Sequence, residues 1–265
     1  MFDFDDIGTW GPLLSAHLSD LVSLNTGATI LARQPEYIED AADILFSDIC
    51  PDKTALVTAV SNWVMSQTVA AYHGSRLEDT EIEDIKARGL LALNPDDRKD
   101  RLRRKLGHHP RWPEAAVRLD SVIHDLGEQH RAGKRAGQSH ATLSRGGLMK
   151  GFNHYLTHGS EFDQHAAREL LGDDGTELLA KYGRPALITL AVPGTRAFEA
   201  ANRCLVLVRD MPNVIREVIK VWAYWLAYPE FSVSRLKIDC GFIFDHDVPV
   251  RWIVSVEHVD IGDDN

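Results

Sequence analysis

The segment RPALITLAVPG, residues 184–194, constrains the fold of this chain more than any other. Its apolar run is short, β-branched and closed by Pro-Gly, the pattern of a strand buried in a sheet. Other strand patterns are brief. VAAYHGSRL reads as a strand entering a turn at Gly74, and HATLS at 140–144 is a second short candidate. At the C-terminal end RLKIDCGFIF and VRWIVSVEHVDI read as a pair of strands joined by a turn from Asp245 to Pro249.

The remainder has helical periodicity. Leu13, Leu14, Leu18, Leu21 and Val22, then Tyr37, Ile38, Ala41, Ala42, Ile44 and Leu45, recur at helical spacing, and Pro51-Asp52 starts another helix through Trp63. EDTEIEDIKARGLLAL predicts a short helix with an acidic first turn, Ile82, Ile85 and Leu90 on one face and Gly89 just past its end. KGFNHYLTHGSEFDQHAARELL and GTELLAKYG are helical, and IREVIKVWAYWLA is apolar all round, as a core helix is. Strands at both ends of a helical insertion predict an α+β domain with a split sheet. The expected organisation is a helical N-terminal extension over 1–66 and a main domain over 67–262, with a basic helical insertion at 95–137.

Composition excludes several classes. With 265 residues, 44% of them hydrophobic, the chain can bury a full core, and its charge content is that of an ordinary globular protein. A net charge of −10 repels nucleic acid and anionic membranes at long range. Cys50, Cys204 and Cys240 are odd in number, widely spaced and without a Cys-x-x-Cys pair, so a reducing compartment is expected. The acidic start MFDFDDIGTWGP is unlike a secretory signal, and no stretch approaches the roughly 20 apolar residues of a membrane span. A cytoplasmic location and no membrane partner follow as expectations.

The residues carrying chemistry begin at His73-Gly74-Ser75-Arg76, followed at fixed distances by Ile85 and by Gly89-Leu90. This series resembles the start of the catalytic domain of the poly(ADP-ribose) polymerases and, more broadly, the diphtheria-toxin-like branch of the NAD-dependent ADP-ribosyltransferases. HATLS, the helix carrying Tyr155, the PALITLAVPG strand and the final strands with Val248-Pro249 between them follow in the order of that fold, so the likeness covers roughly 67–262. It implies an enzyme that cleaves the nicotinamide–ribose bond of NAD and transfers ADP-ribose to a protein or nucleic acid. Bacterial toxins and anti-phage effectors are among the roles implied. An NAD glycohydrolase, or a catalytically silent module binding ADP-ribose or nucleic acid, is the alternative.

The resemblance also implies roles for individual residues. Gly74 presents bare backbone to the nicotinamide carboxamide, which a Cβ would obstruct. His73 orients the adenosine ribose, with Ser75 and Arg76 beside it, and Tyr155 stacks on the nicotinamide ring. Where the family has a serine one turn before that tyrosine, this chain has Phe152, so Thr142 or Ser144 is the candidate replacement. A carboxylate must stabilise the oxocarbenium-like ribose. Asp239 stands at the matching position but is one methylene shorter than the family's glutamate, and Glu161 in THGSEFD is the favoured rival.

Two other clusters compete for attention. His154, His158, Glu161 and His165 share a helical face, but nothing stands between the histidines as a general base, and no metal is expected. The basic run Arg98, Lys99, Arg101, Arg103, Arg104 and Lys105 is read first as a solvated insertion helix; a nucleic-acid acceptor, if there is one, lies along it. The chain has no P-loop, no dinucleotide-binding glycine fingerprint after a strand and no Gly-x-Ser-x-Gly elbow.

Overall fold

The computed structural model describes residues 1–50, 52–128, 135–203 and 211–261. In chain order the elements are α1 (Ile7–His17), α2 (Thr26–Ala32), α3 (Ile38–Ile44), α4 (Lys53–Met65), β1 (Thr68–Leu77), α5 (Asp79–Arg88), α6 (Pro95–Leu106), α7 (Trp112–Ala116) and α8 (Leu119–Glu128). They continue with β2 (Ser139–Thr142), α9 (Arg145–Lys150), α10 (His154–His158), α11 (Glu161–Leu171), α12 (Asp173–Leu179) and β3 (Arg184–Pro193). Last come α13 (Gly194–Arg203), α14 (Asn213–Ala227), β4 (Gly241–Phe244) and β5 (Ile253–His258). The class is α+β, and the described strands form a single open sheet in the order β4-β2-β1-β3-β5, not a split one. No described helix is long and apolar enough to cross a membrane.

The chain divides into two units, one of Met1–Ala71, Thr142–Gly151 and Ala191–Phe242, the other of Tyr72–Ala141, Phe152–Leu190 and Ile243–Asn265. In the first, α14 supplies much of the core, burying Val214, Ile215, Val218, Ile219, Val221 and Trp222. Phe2 sets its ring edge-on to both Trp10 and Trp63, each 5.3 Å away, and the indole of Trp10 donates to the carbonyl of Phe4. This cluster joins the N-terminal strand residue to α1 and α4. Cys50 and Cys240 are buried, and Cys204 lies outside the described residues.

In the second unit the basic segment is not a solvated appendage. Leu102 and Leu106 of α6, Ala115 of α7 and Leu119, Ile123 and Leu126 of α8 share one buried core with Phe162, Ala166, Leu170 and Leu171 of α11 and Leu179 of α12. The apolar positions of α6 lie four apart, so its charged residues cover the rest of its circumference.

Several expectations change. Gly74 does not turn the chain: β1 runs through it to Leu77, and α5 starts only after Glu78, whose backbone N–H donates to the side chain of Glu81 in a reciprocal cap. The helical stretch after HATLS is broken at Gly159, where α10 ends. The strand expected over RLKIDCGFIF is only Gly241–Phe244; just upstream, the carbonyl of Cys240 accepts from the N–H of Leu143 and the hydroxyl of Thr142. The last two strands do not pair with each other, but occupy opposite edges of the sheet. The eight residues between them exceed a hairpin loop, which usually has about 2–5 residues. They bond elsewhere: Val248 and Leu90 exchange both backbone hydrogen bonds, 2.8 and 3.0 Å. β5 then runs antiparallel to β3, from Ala186 opposite His258 to Leu190 opposite Ile253, with an irregularity at Thr189/Leu190.

Gly89 and Gly159 both have positive φ, 87° and 84°. A Cβ on Gly89 would lie 2.1 Å from the carbonyl oxygen of Val248, whereas nothing lies within 4 Å of one on Gly159. Alanine at either position carries a backbone penalty of about 1–3 kcal/mol, and only Gly89→Ala adds a clash with main chain. Urea unfolding is expected to show a clearly larger loss of stability for Gly89→Ala; equal losses would contradict the close approach at Val248.

Candidate functional site

Within the second unit a cleft of about 1060 Å³ is lined by β1, α5, α6, the start of β2, α10 and the start of α11. It is at the upper end of the size range of small-molecule sites, roughly 300–1,000 Å³. Side chains alternate across a strand, so His73, Ser75 and Leu77 leave β1 on one face, and all three line the cleft together with Gly74. Arg76 leaves on the other. It is a structural clamp, donating to the carbonyls of Tyr182 (3.1 Å), Gly183 (2.7 Å) and Leu156 (3.4 Å), and it is not part of the lining.

His73 Nδ1 lies 2.6 Å from the carbonyl oxygen of His140. A carbonyl only accepts, so Nδ1 carries the proton and the neutral ring keeps Nε2 as an acceptor. Burial lowers the pKa of His73, opposed by this hydrogen bond, and the charge of Arg98 lowers it further. His140 lines the same cleft, and its Nε2 is shielded and has no hydrogen-bond partner among the described residues. Burial first, then Arg135 and His73, push its pKa down to about 4.

Opposite stands a carboxylate surrounded by donors. Glu161 opens α11 just after the capping residue Ser160. Its Oε1 accepts from the hydroxyl of Tyr155 at 2.9 Å and lies 3.3 Å from His154 Nε2, while Oε2 pairs with Arg135. Burial acts to raise the pKa of Glu161, but Arg135 and the bonds from Tyr155 and His154 outweigh it and hold the carboxyl below its ordinary range. Burial and the neighbouring carboxylate push the Tyr155 phenol up to about 12, so it stays a donor. The Tyr155 ring packs against His154, centroids 4.1 Å apart and tilted by 36°.

The cleft thus unites His73, Gly74, Ser75, Tyr155 and Glu161. It does not include Thr142, Ser144, Asp239 or Phe152. Thr142 and Ser144 are buried and committed to their own unit: Thr142 donates to Cys240, and the hydroxyl of Ser144 caps α9 by accepting from Gly147. Asp239 is exposed, two residues before β4, and burial followed by the charge of Glu217 raises its pKa. Among the described residues no group of three or more His, Cys, Asp or Glu side chains could hold a metal ion.

Arg135 and His140 were absent from the candidates read in the sequence. For His140 the only signal the sequence offered was its place at the start of the short strand candidate HATLS. Arg135 had none, because it reaches Glu161 across 26 residues of chain.

The basic run is largely paired. Arg98 and Arg101 meet Asp163, Arg101 also meets Glu81, Lys99 meets Asp96 and Asp120, and Arg103 meets Asp100. Arg98, Arg101, Arg103 and Arg104 line the cleft. Comparison of the chain with protein-family models, curated proteins and solved structures finds no match.

His140 gives a testable pH dependence. Its pKa is near 4 in the fold against an ordinary 6.5, so below pH 6.5 the unfolded chain binds a proton that the folded one does not. Stability is therefore full above pH 6.5 and falls as the pH drops toward 4, by at most about 3 kcal/mol from this group. His73 acts in the same direction. Denaturant unfolding between pH 7 and 4.5 should have a flatter pH dependence in His140→Gln than in the parent; identical slopes would remove His140 as the cause.

Proposed function

We propose that this chain is an NAD-dependent ADP-ribosyltransferase whose site is the cleft between His73-Gly74-Ser75 and the Tyr155–Glu161 pair. One observation carries the reading: residues the family resemblance assigned to NAD, 80 and more positions apart in the sequence, line one cleft large enough for a dinucleotide. Gly74 lies in β1 and lines the cleft without a side chain, so a flat ring carboxamide can approach the strand closely there. His73 holds an acceptor nitrogen for a ribose hydroxyl.

In this reading Glu161, and not Asp239, is the catalytic carboxylate. A carboxylate has about four lone-pair positions. Tyr155, His154 and Arg135 use three of those on Glu161, leaving one for the 2′-hydroxyl of the nicotinamide ribose. The C1′–N bond breaks and its electron pair leaves with nicotinamide. Positive charge grows on the ribose beside a carboxylate that is already ionised and already oriented, so little reorganisation is needed. The acceptor then attacks C1′ and releases its proton to solvent. Tyr155 is held by its bond to Glu161, and His154 packs against its ring, so the ring is fixed for stacking on the nicotinamide.

The arginines of α6 face the cleft and are mostly paired inside the protein, which favours a small anionic ligand over a long nucleic acid along this helix. A nucleic-acid acceptor reaching the cleft mouth is compatible with the same chemistry.

Nicotinamide release from NAD tests the assignment, measured with and without mixed protein and nucleic-acid acceptors. Glu161→Gln is expected to lower turnover by roughly 10²–10³, Tyr155→Ala by about 2- to 10-fold through lost stacking, and Asp239→Asn not at all. Turnover independent of any acceptor assigns hydrolysis instead of transfer. Full activity in Glu161→Gln overturns the site.

A further inference from the structure

Behind the α6 side of the cleft lies a buried cluster of charges that does not balance. Asp163, almost fully buried, has Arg98 Nε 3.0 Å from Oδ1 and Arg101 Nε 3.3 Å from Oδ2. Arg101 also pairs with Glu81, and Arg104 Nη2 approaches that carboxylate at 3.9 Å. Lys105 is buried in the same region, faces the charges of Arg98, Arg101, Glu81 and Asp163, and has no ion pair among the described residues. Arg98, Arg101 and Lys105 thus bring three positive charges against two carboxylates.

The hydrogen bonding is incomplete as well. The two Asp163 contacts are near enough for ion pairs but misaligned, so Arg98 Nε, Arg101 Nε and Asp163 Oδ1 have no hydrogen-bond partner among the described residues. Unbalanced buried charge is costly unless something neutralises it. Without an anion the protein relieves the excess at Lys105, whose pKa is lowered to about 8, by burial first and then by the charge of Arg101. Arg98, Arg101, Arg103 and Arg104 line the cleft together with the carboxylates Glu81, Asp84, Asp97 and Asp100; Arg103 is taken up by Asp100, and a ligand anion set against Arg98, Arg101 and Arg104 meets the excess of the buried cluster.

We propose that the α6 wall of the cleft is an anion subsite that takes the phosphates of a nucleoside-diphosphate ligand, with Arg98, Arg101 and Arg104 facing the ligand and Lys105 supplying the uncompensated charge behind them. Only the identity of the ligand rests on the NAD reading; the charge excess stands without it. Glu161 and Arg135 mark the reacting end of the cleft, and α6 marks the end that holds the diphosphate. Lys105 touches no ligand in this arrangement. It is a positioning residue that acts through the field it adds.

Calorimetric titration of the full chain with inorganic pyrophosphate, ADP-ribose and nicotinamide tests this. Arg104→Ala changes an exposed residue, and Lys105→Met replaces a buried cation by an apolar chain of similar length. Arg104→Ala is expected to weaken pyrophosphate and ADP-ribose by about tenfold, the factor for one charge-assisted contact, Lys105→Met by a smaller factor of about 2- to 5-fold through the lost field, and both to leave nicotinamide unchanged. Near pH 8 the parent should take up a proton on binding pyrophosphate, read from buffers of different ionisation enthalpy, and Lys105→Met should not. Parent-like affinity for pyrophosphate in both folded variants overturns the subsite, as does a parent that binds neither phosphate ligand. Pyrophosphate binding that depends on Arg104, in a protein that leaves NAD intact, keeps the subsite and removes the transferase reading. NAD cleavage unaffected by both variants does the reverse.

Discussion

The cleft depends first on a buried carboxylate that does not line it. Asp163, in the first turn of α11, draws Arg98 and Arg101 of α6 toward it, while Glu81 of α5 takes Arg101 from the other side. Arg101 also donates to the carbonyl of Arg76 on β1, and Arg98 donates to the hydroxyl of Ser160, which caps α11. Four elements that line the cleft are tied together through these groups. Removing one partner of a buried pair leaves the other uncompensated, so each member holds its neighbours in place even where the net stabilisation is small. The apolar core beneath, built on Leu102, Leu106, Phe162 and Ala166, positions the helices, and the charged layer fixes which faces turn to the cleft.

Much of this was legible in the sequence where local pattern decides structure. The apolar run at 184–194 forms β3, Gly89 closes α5 at a positive φ, and α14 buries the residues its all-round hydrophobicity announced. What was not legible depended on partners distant in the chain. Gly74 looked like a turn because glycine usually marks one, yet β1 is paired on both sides by β2 and β3, and pairing overrides the local signal. The final strands looked like a hairpin because they are consecutive, but Leu90 claims the segment between them. The basic run looked solvated because charge normally faces water. Its acidic partners Glu81 and Asp163 lie 20 or more residues from Arg101 and Arg98, beyond the reach of helix-spacing arguments.

The candidate site divides in the same way. His73, Gly74, Ser75 and Tyr155 could be named because the resemblance carries them. Glu161 could be preferred over Asp239 because a polar turn places a carboxylate near the tyrosine, and in the structure it receives the tyrosine's hydroxyl. Arg76 was drawn into the site by its neighbours in sequence. Strand alternation sends it to the opposite face, where three carbonyls occupy it. A contiguous motif on a strand contributes side chains to a pocket only at every second position, and the intervening residue contributes backbone.

Glu161 and Asp163 show how one helix turn sends two carboxylates to different surroundings. They are two residues apart, about 200° around an α-helix at 3.6 residues per turn, and so face nearly opposite ways. Asp163 faces α6 and is held between the guanidiniums of Arg98 and Arg101. Glu161 faces the cleft, and its partners are the hydroxyl of Tyr155, the imidazole of His154 and the guanidinium of Arg135. A carboxylate locked by buried ion pairs cannot respond to charge developing on a ligand; one held by a phenol, an imidazole and a single guanidinium can share its remaining acceptor position. Ser160 serves both, accepting from the N–H of Asp163 and the guanidinium of Arg98 and thereby fixing where α11 begins. A one-residue shift of that cap would rotate α11 by about 100°, moving Glu161 out of the cleft and Asp163 away from α6. The start of this helix therefore determines which of the two acids faces the cleft.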